Sequence, residues 1–203
     1  MRPLIAAIAV GLLVAGCYQE TQRPRDAYVP KTHAQQLNNQ AMDALKADRN
    51  DEAVQLLSQA VEEDPRFAQA YVNKAVALGR LGRFEETLGL LATATQLEPD
   101  LADAYLFRGV FAERLQKTDD ALNSYAKAAT LLTAKMKETP APDLATSRAI
   151  ALYLGTGKVQ GLEAFNAVLA QYPDYSRARF LREKIQQGDR AYFMWWVADQ
   201  DSR

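Results

Sequence analysis

Residues of one kind recur at intervals of 34 along this chain. Ala41, Ala75 and Gly109 are small, and Ala53, Thr87 and Ala121 form a second set. Leu57, Leu91 and Tyr125 are large, Ala60, Ala94 and Ala128 are small again, and Pro65 and Pro99 close the pattern. A fixed period of this length marks stacked supersecondary units, each too small to bury its own apolar face and each completed by its neighbours. Small residues let two helices approach closely, and the large residue fills the space they leave. Asp51-Glu52, Glu85-Glu86 and Asp119-Asp120 fall in the first turn of each second helix, where carboxylates favour the positive end of the helix dipole. Asp64-Pro65 and Glu98-Pro99 stop that helix. The expected fold class is all-α.

Counting back from Pro173 finds a fourth, divergent unit with Ala149, Gly161, Phe165 and Val168 at the same phases. It begins at Pro142 instead of Met136, an insertion of six residues. The third unit has Thr133 where a proline would stand, so residues 131–137 can continue as helix until Pro140 and Pro142. The insertion reads as a tolerated extension or as a protrusion that meets a partner. Ala178, Leu181 and Ile185 then lie at helical spacing, and Gly188 ends that helix. A polar-backed helix of this kind suits the exposed last face of a stack.

These phases resemble the small, Ala, large-apolar, Ala and Pro positions of the tetratricopeptide repeat, with Leu37, Tyr71 and Tyr105 where its Trp is typical. The resemblance implies a right-handed helix-turn-helix solenoid with three clear repeats (34–67, 68–101, 102–135), one divergent repeat (142–175) and a capping helix (176–187), together a domain over 33–188. It also implies a concave surface lined by first-helix residues, here Asn38, Met42, Val72, Val76, Leu106, Val110 and Ile150. Asn39 and Asn73 share the phase where peptide-binding members present asparagines, and Phe107 interrupts it. Such a groove suits a helix or an extended segment of a protein partner. Acidic substitutions at Val76 and Val110 are expected to abolish partner capture and to leave the helices intact.

Arg2 precedes an uncharged apolar run from Leu4 to Val14, too short to span a bilayer and suited to an export signal. Leu13-Val14-Ala15-Gly16-Cys17 resembles the lipobox of bacterial lipoproteins. That resemblance implies cleavage after residue 16 and covalent lipid on Cys17. It further implies the outer membrane facing the periplasm, because Tyr18 stands where lipoproteins retained at the inner membrane carry Asp; the outer leaflet of the inner membrane is the alternative. Residues 17–32 are polar and hold Pro24 and Pro30, as in an extended tether.

With 24 basic and 25 acidic side chains, nothing favours nucleic acid. The single cysteine permits no intramolecular disulfide and the single His33 no metal site. Gly155-Thr156-Gly157-Lys158 lacks the spacing of a phosphate loop and falls at a helix turn. No cofactor and no small-molecule substrate are expected, and neither is enzyme activity. Lys46, Arg80 and Arg114 share one phase, either as a basic ladder for an acidic ligand or as cations at helix C-termini. The aromatic tail over 189–203, with Tyr192, Trp195 and Trp196, either caps the last repeat, docks a partner or meets the lipid interface. The expected function is a non-enzymatic scaffold or adaptor for envelope protein complexes. A pilotin-like assembly factor for a type IV pilus or secretion machine is the alternative, and a cell-wall or ester hydrolase a minor one.

Overall fold

The computed structural model describes residues 28–196. Cys17, the leader and the tether up to residue 27 lie outside the described residues, as do residues 197–203 and the side chains of Trp195 and Trp196. The described residues form helices α1 (Thr32–Lys46), α2 (Asn50–Glu63), α3 (Ala68–Arg80), α4 (Phe84–Leu97) and α5 (Ala102–Arg114). They continue as α6 (Thr118–Glu138), α7 (Pro142–Thr156), α8 (Lys158–Gln171), α9 (Ser176–Gln187) and α10 (Arg190–Trp196). Each of the first nine helices packs on the next, and α3 also touches α1 and α5, so the chain is a stack of helical hairpins without a strand among the described residues.

The period explains the packing. Ala41, Ala53, Ala60, Ala75, Ala94, Ala128 and Ala149 are fully buried, and so are the large residues Leu57, Leu91, Tyr125 and Phe165 that fit between them. Removing such a leucine side chain from water contributes about 2 kcal/mol. The large residue and its small neighbour are matched in size. Leu57 and Leu91 face alanines, whereas Tyr125 faces Gly109, where a Cβ would lie 2.4 Å from the tyrosine ring. Thr87 is buried at the second of these phases, and its hydroxyl lies 3.0 Å from the Arg83 carbonyl of its own helix and 3.3 Å from the Ala75 carbonyl across the hairpin.

The turns repeat with the same period. The N–H groups of Arg49, Arg83 and Lys117 each reach back five residues, to the carbonyls of Ala44, Leu78 and Ala112, each at 2.9 Å. This closure needs a left-handed residue just past the helix, supplied by Asp48, Gly82 and Gln116 with φ of 56°, 78° and 60°. At the other end, the N–H groups of Phe67, Leu101 and Tyr175 donate to the carbonyls of Asp64, Glu98 and Tyr172, bending the chain into the next hairpin.

The insertion over 136–141 is part helix and part connection: 136–138 lengthen α6, and 139–141 lead into α7. α6 reaches 21 residues and packs against α7, with Arg148 Nε donating to Thr133 Oγ1 at 2.8 Å. Pro142 at the first turn of α7 restarts the stack.

The last residues expected in the tether are held against the first hairpin. The Lys31 N–H donates to Asp64 at 2.8 Å, Lys31 Nζ donates to the Glu63 carbonyl at 2.6 Å, and the Arg66 guanidinium lies 4.7 Å from the centre of the Tyr28 ring. Burial pushes the Asp64 carboxyl upward, yet the neighbouring Tyr28 hydroxyl and the N–H groups of Lys31 and Arg66 outweigh it and hold the group below the ordinary carboxylate range.

Candidate partner-binding face

The first helices of successive hairpins lie side by side and present a continuous face. Its amino-terminal half carries a chain of amides. Gln69 Nε2 donates to Asn73 Oδ1 at 3.1 Å, and Asn73 Nδ2 donates to Asn38 Oδ1 at 2.8 Å, which joins two repeats through residues 35 positions apart. Asn38 and Asn73 are nearly buried, whereas Asn39 is exposed and Met42 and Phe107 are half-buried beside them. Val76 keeps only a narrow exposed edge.

Four expected groove residues do not line it. Val72, Val110 and Ile150 have no exposed surface and Leu106 only 2%, because they belong to the apolar core. Phase along the helix is the same for a core and a groove position; the width of the buried stripe decides between them. Here the alanines at 68, 70, 77, 102, 104 and 112 are buried and bring neighbouring helices close enough to cover those side chains. Acidic substitution at Val110 would therefore place a charge in the core and break the fold, instead of testing the groove.

Of the cations at the shared phase, Arg80 and Arg114 are engaged between helices and Lys46 is paired at the surface of its own helix. Arg80 Nη1 donates to the Leu45 carbonyl at 2.7 Å, satisfying the C-terminus of α1, Arg114 lies 5.8 Å from the centre of the Phe84 ring, and Lys46 pairs with Asp43 at 3.7 Å. Gly155 and Thr156 end α7, Gly157 alone joins it to α8 with φ of 99°, and Lys158, at the start of α8, donates from Nζ to the Gln186 carbonyl at 2.8 Å. His33 contacts Glu63 at the surface. Among the described residues no three of His, Cys, Asp and Glu stand together as a metal site, and no helix is long and apolar enough to cross a membrane.

The carboxyl-terminal end of the same face carries α10. Phe193 is fully buried, with its ring 4.8 Å edge-on from Tyr153 of α7, and Met194 is 7% exposed, its sulfur 3.7 Å from the Tyr125 hydroxyl. Tyr192 lies on the outside against Phe180, 5.7 Å between ring centres, with Lys184 Nζ 5.2 Å from the Tyr192 ring. Arg190 Nε and Nη2 donate to the two oxygens of Glu113 at 3.0 and 2.9 Å, and Nη2 also donates to the Leu154 carbonyl at 2.9 Å. The Tyr125 hydroxyl donates to Glu113 at 2.9 Å. Burial first, and then the Glu113 charge, raises the Tyr125 hydroxyl pKa far above its ordinary value. Burial works against the Arg190 cation, but the bonds to Glu113 prevail and raise it.

Glu113, Gln69 and Arg190 were not legible as site residues. Glu113 meets Arg190 across 77 positions of sequence, and no local pattern joins them. A weak signal exists for Arg190: it follows Gly188, which ends α9 in a left-handed conformation with φ of 78°.

With this geometry established, comparison with known proteins fixes the class. The tetratricopeptide repeat profile matches residues 38–91 and 75–138. The fold is similar to the Sgt2 TPR domain from Aspergillus fumigatus, with 15% identity over 73% of this chain and 85% of that one and a TM-score of 0.50. It is equally similar to MamA from Desulfovibrio magneticus RS-1, with 14% identity over 86% of this chain and 98% of that one and a TM-score of 0.50. No curated protein sequence matches the chain. At such identities the structural likeness shows the fold alone, but the repeat profile and the hairpin stack agree: the repeat region of this chain belongs to the tetratricopeptide repeat family.

Proposed function

We propose that this chain is a non-enzymatic protein-binding adaptor of the bacterial envelope, held to the outer membrane by lipid on Cys17, with its hairpin stack facing the periplasm. The observation that carries the binding half of this reading is the amino-terminal part of the concave face. There Asn39, Met42 and Phe107 are accessible beside the Gln69–Asn73–Asn38 amide chain, a mixture of apolar surface and amides that suits a helix or extended segment of a partner. The anchoring half rests on the lipobox-like Leu13 to Cys17. Two or more acyl chains on one residue hold a protein to a bilayer stably, where a single chain does so only marginally.

The two halves are tested separately. Cys17→Ala should move the protein from the detergent phase to the aqueous phase and abolish lipid labelling; unchanged labelling would remove the anchor. Asn39→Asp with Met42→Asp should abolish partner capture from envelope extracts and leave the helical spectrum as it was. Capture that survives both changes would place binding outside this half of the face.

A further inference from the structure

We propose that the carboxyl-terminal end of the concave face is a second docking site, which takes an arginine-led amphipathic helix of a partner protein and which α10 fills in cis. The inference rests on the reading that the fold binds protein segments and is independent of the lipid anchor.

The direction of α10 is the first argument. α9 ends in the same closure as α1, α3 and α5, its Gly188 left-handed and the Asp189 N–H donating five residues back to the Lys184 carbonyl at 3.2 Å. In each earlier hairpin a second helix of 14 residues or more then runs back along the first. α10 has seven residues; it touches α9 through Tyr192 and reaches past it to lay Phe193 on Tyr153 of α7 and Arg190 on Glu113 of α5. It crosses the face where a partner segment would lie in this architecture.

The chemistry of the seat is the second. The groups that receive Arg190 and Phe193 are built by the repeats: the Glu113 carboxylate oriented by the Tyr125 hydroxyl, the Leu154 carbonyl at the end of α7, and the Tyr153 ring; α9 adds Phe180 and Lys184 against Tyr192. The planar fork of a guanidinium matches a carboxylate and a nearby carbonyl in a way an ammonium does not. The seat therefore selects a helix with Arg in its first turn, an aromatic residue three positions on and a flexible apolar residue at the fourth, as in Arg190, Phe193 and Met194. The third argument is that one short helix supplies the whole hold. It consists of the buried Phe193 and Met194, Tyr192 against Phe180 and Lys184 of α9, the bond from Arg190 to the Leu154 carbonyl, and the bidentate pair with Glu113, whose members keep 39% and 30% of their side-chain surface in solvent. A foreign helix of the same pattern makes the same contacts with Glu113, Leu154 and Tyr153, so it competes with α10 for the seat. Its apparent affinity is lowered by the fraction of time that α10 occupies the seat.

The probe is a fluorescent peptide of residues 188–203, titrated by anisotropy against three full-length chains. These are the wild type, an unlatched chain with Arg190→Ser and Phe193→Ser, and the unlatched chain carrying Glu113→Lys as well. The unlatched chain should bind the peptide at least tenfold more tightly than the wild type, and Glu113→Lys should remove that gain. Equal binding by wild type and unlatched chain, or full binding by the chain that carries Glu113→Lys, overturns the proposal. Should unlatching melt the stack in circular dichroism, α10 is an integral cap and the proposal fails. Hydrogen exchange on the wild type gives a second reading: α10 amides should exchange at least a hundredfold faster than those of α7, and equal protection overturns it. Asn39→Asp in the unlatched chain should leave peptide affinity unchanged, which separates this site from the amino-terminal half of the face.

Discussion

A Cβ placed on Gly109 of α5 would stand 2.4 Å from the ring of Tyr125 on α6, so the two residues occupy one space between their helices. In the units before it, Ala41 with Leu57 and Ala75 with Leu91 fill the same space with a different division. Gly109→Ala should destabilise the fold by about 1–3 kcal/mol through overpacking, read as a lower thermal midpoint. Adding Tyr125→Leu restores the division used by the first two units. The double variant should lose less than the sum of the two single changes, and strict additivity would show that the pair does not share the space.

Gln116 closes the third hairpin at φ of 60°, where the second hairpin uses Gly82 at 78°. A residue with a Cβ in that conformation costs about 1 kcal/mol. Gln116→Gly should therefore raise stability by roughly 0.5–1 kcal/mol in denaturant titrations, and Gly82→Ala should lower it by a similar amount. Loss of stability on Gln116→Gly would mean that its side chain contributes more than its backbone costs.

Asp64 is 5% exposed and accepts hydrogen bonds from the N–H groups of Lys31, at 2.8 Å, and Arg66, at 3.2 Å. Its folded pKa is depressed, so its contribution is fully present above the unfolded carboxylate value of about 4 and is lost as pH falls through the folded value. Asp64→Ala should cost about 1–3 kcal/mol at neutral pH. Stability curves of the wild type and the variant should approach each other below pH 4. Curves that stay parallel through the acid range would show that the carboxylate charge does not hold the segment over Tyr28 to Lys31.

Val110 and Met42 lie on the same side of their helices, yet one is fully buried and the other half-buried. Val110→Asp should unfold the stack, seen as loss of helical signal at moderate temperature. Met42→Asp should keep the helical signal and lower stability by no more than about 1 kcal/mol, because that side chain already meets solvent in part. A well-folded Val110→Asp chain would return that residue to the groove.

The architecture was legible because the period encodes it: small and large residues at fixed phases dictate which helices meet, and the Pro and carboxylate positions mark where they stop. The extension of α6 could also be read, since Thr133 stands where a proline would break it. The binding face could be read only as a helix side. Val72 and Val110 share that side with Asn39 and Met42, and their burial depends on how near the next helix comes, a distance set by alanines on a different helix. That the tail could fold onto the last repeat was one of the readings its aromatic residues allowed, but the seat itself was not legible, because Glu113, Tyr125 and Arg190 meet only once the last helix has turned back.

Photo-crosslinking in living cells tests the central claim most directly. A crosslinking amino acid at Met42 or Asn39 on the concave face is compared with one at Leu122, which is 42% exposed on α6, a second helix. The account predicts discrete protein adducts from Met42 and Asn39 and none of the same mass from Leu122. Adducts of equal yield and mass from all three positions, or from Leu122 alone, would contradict it.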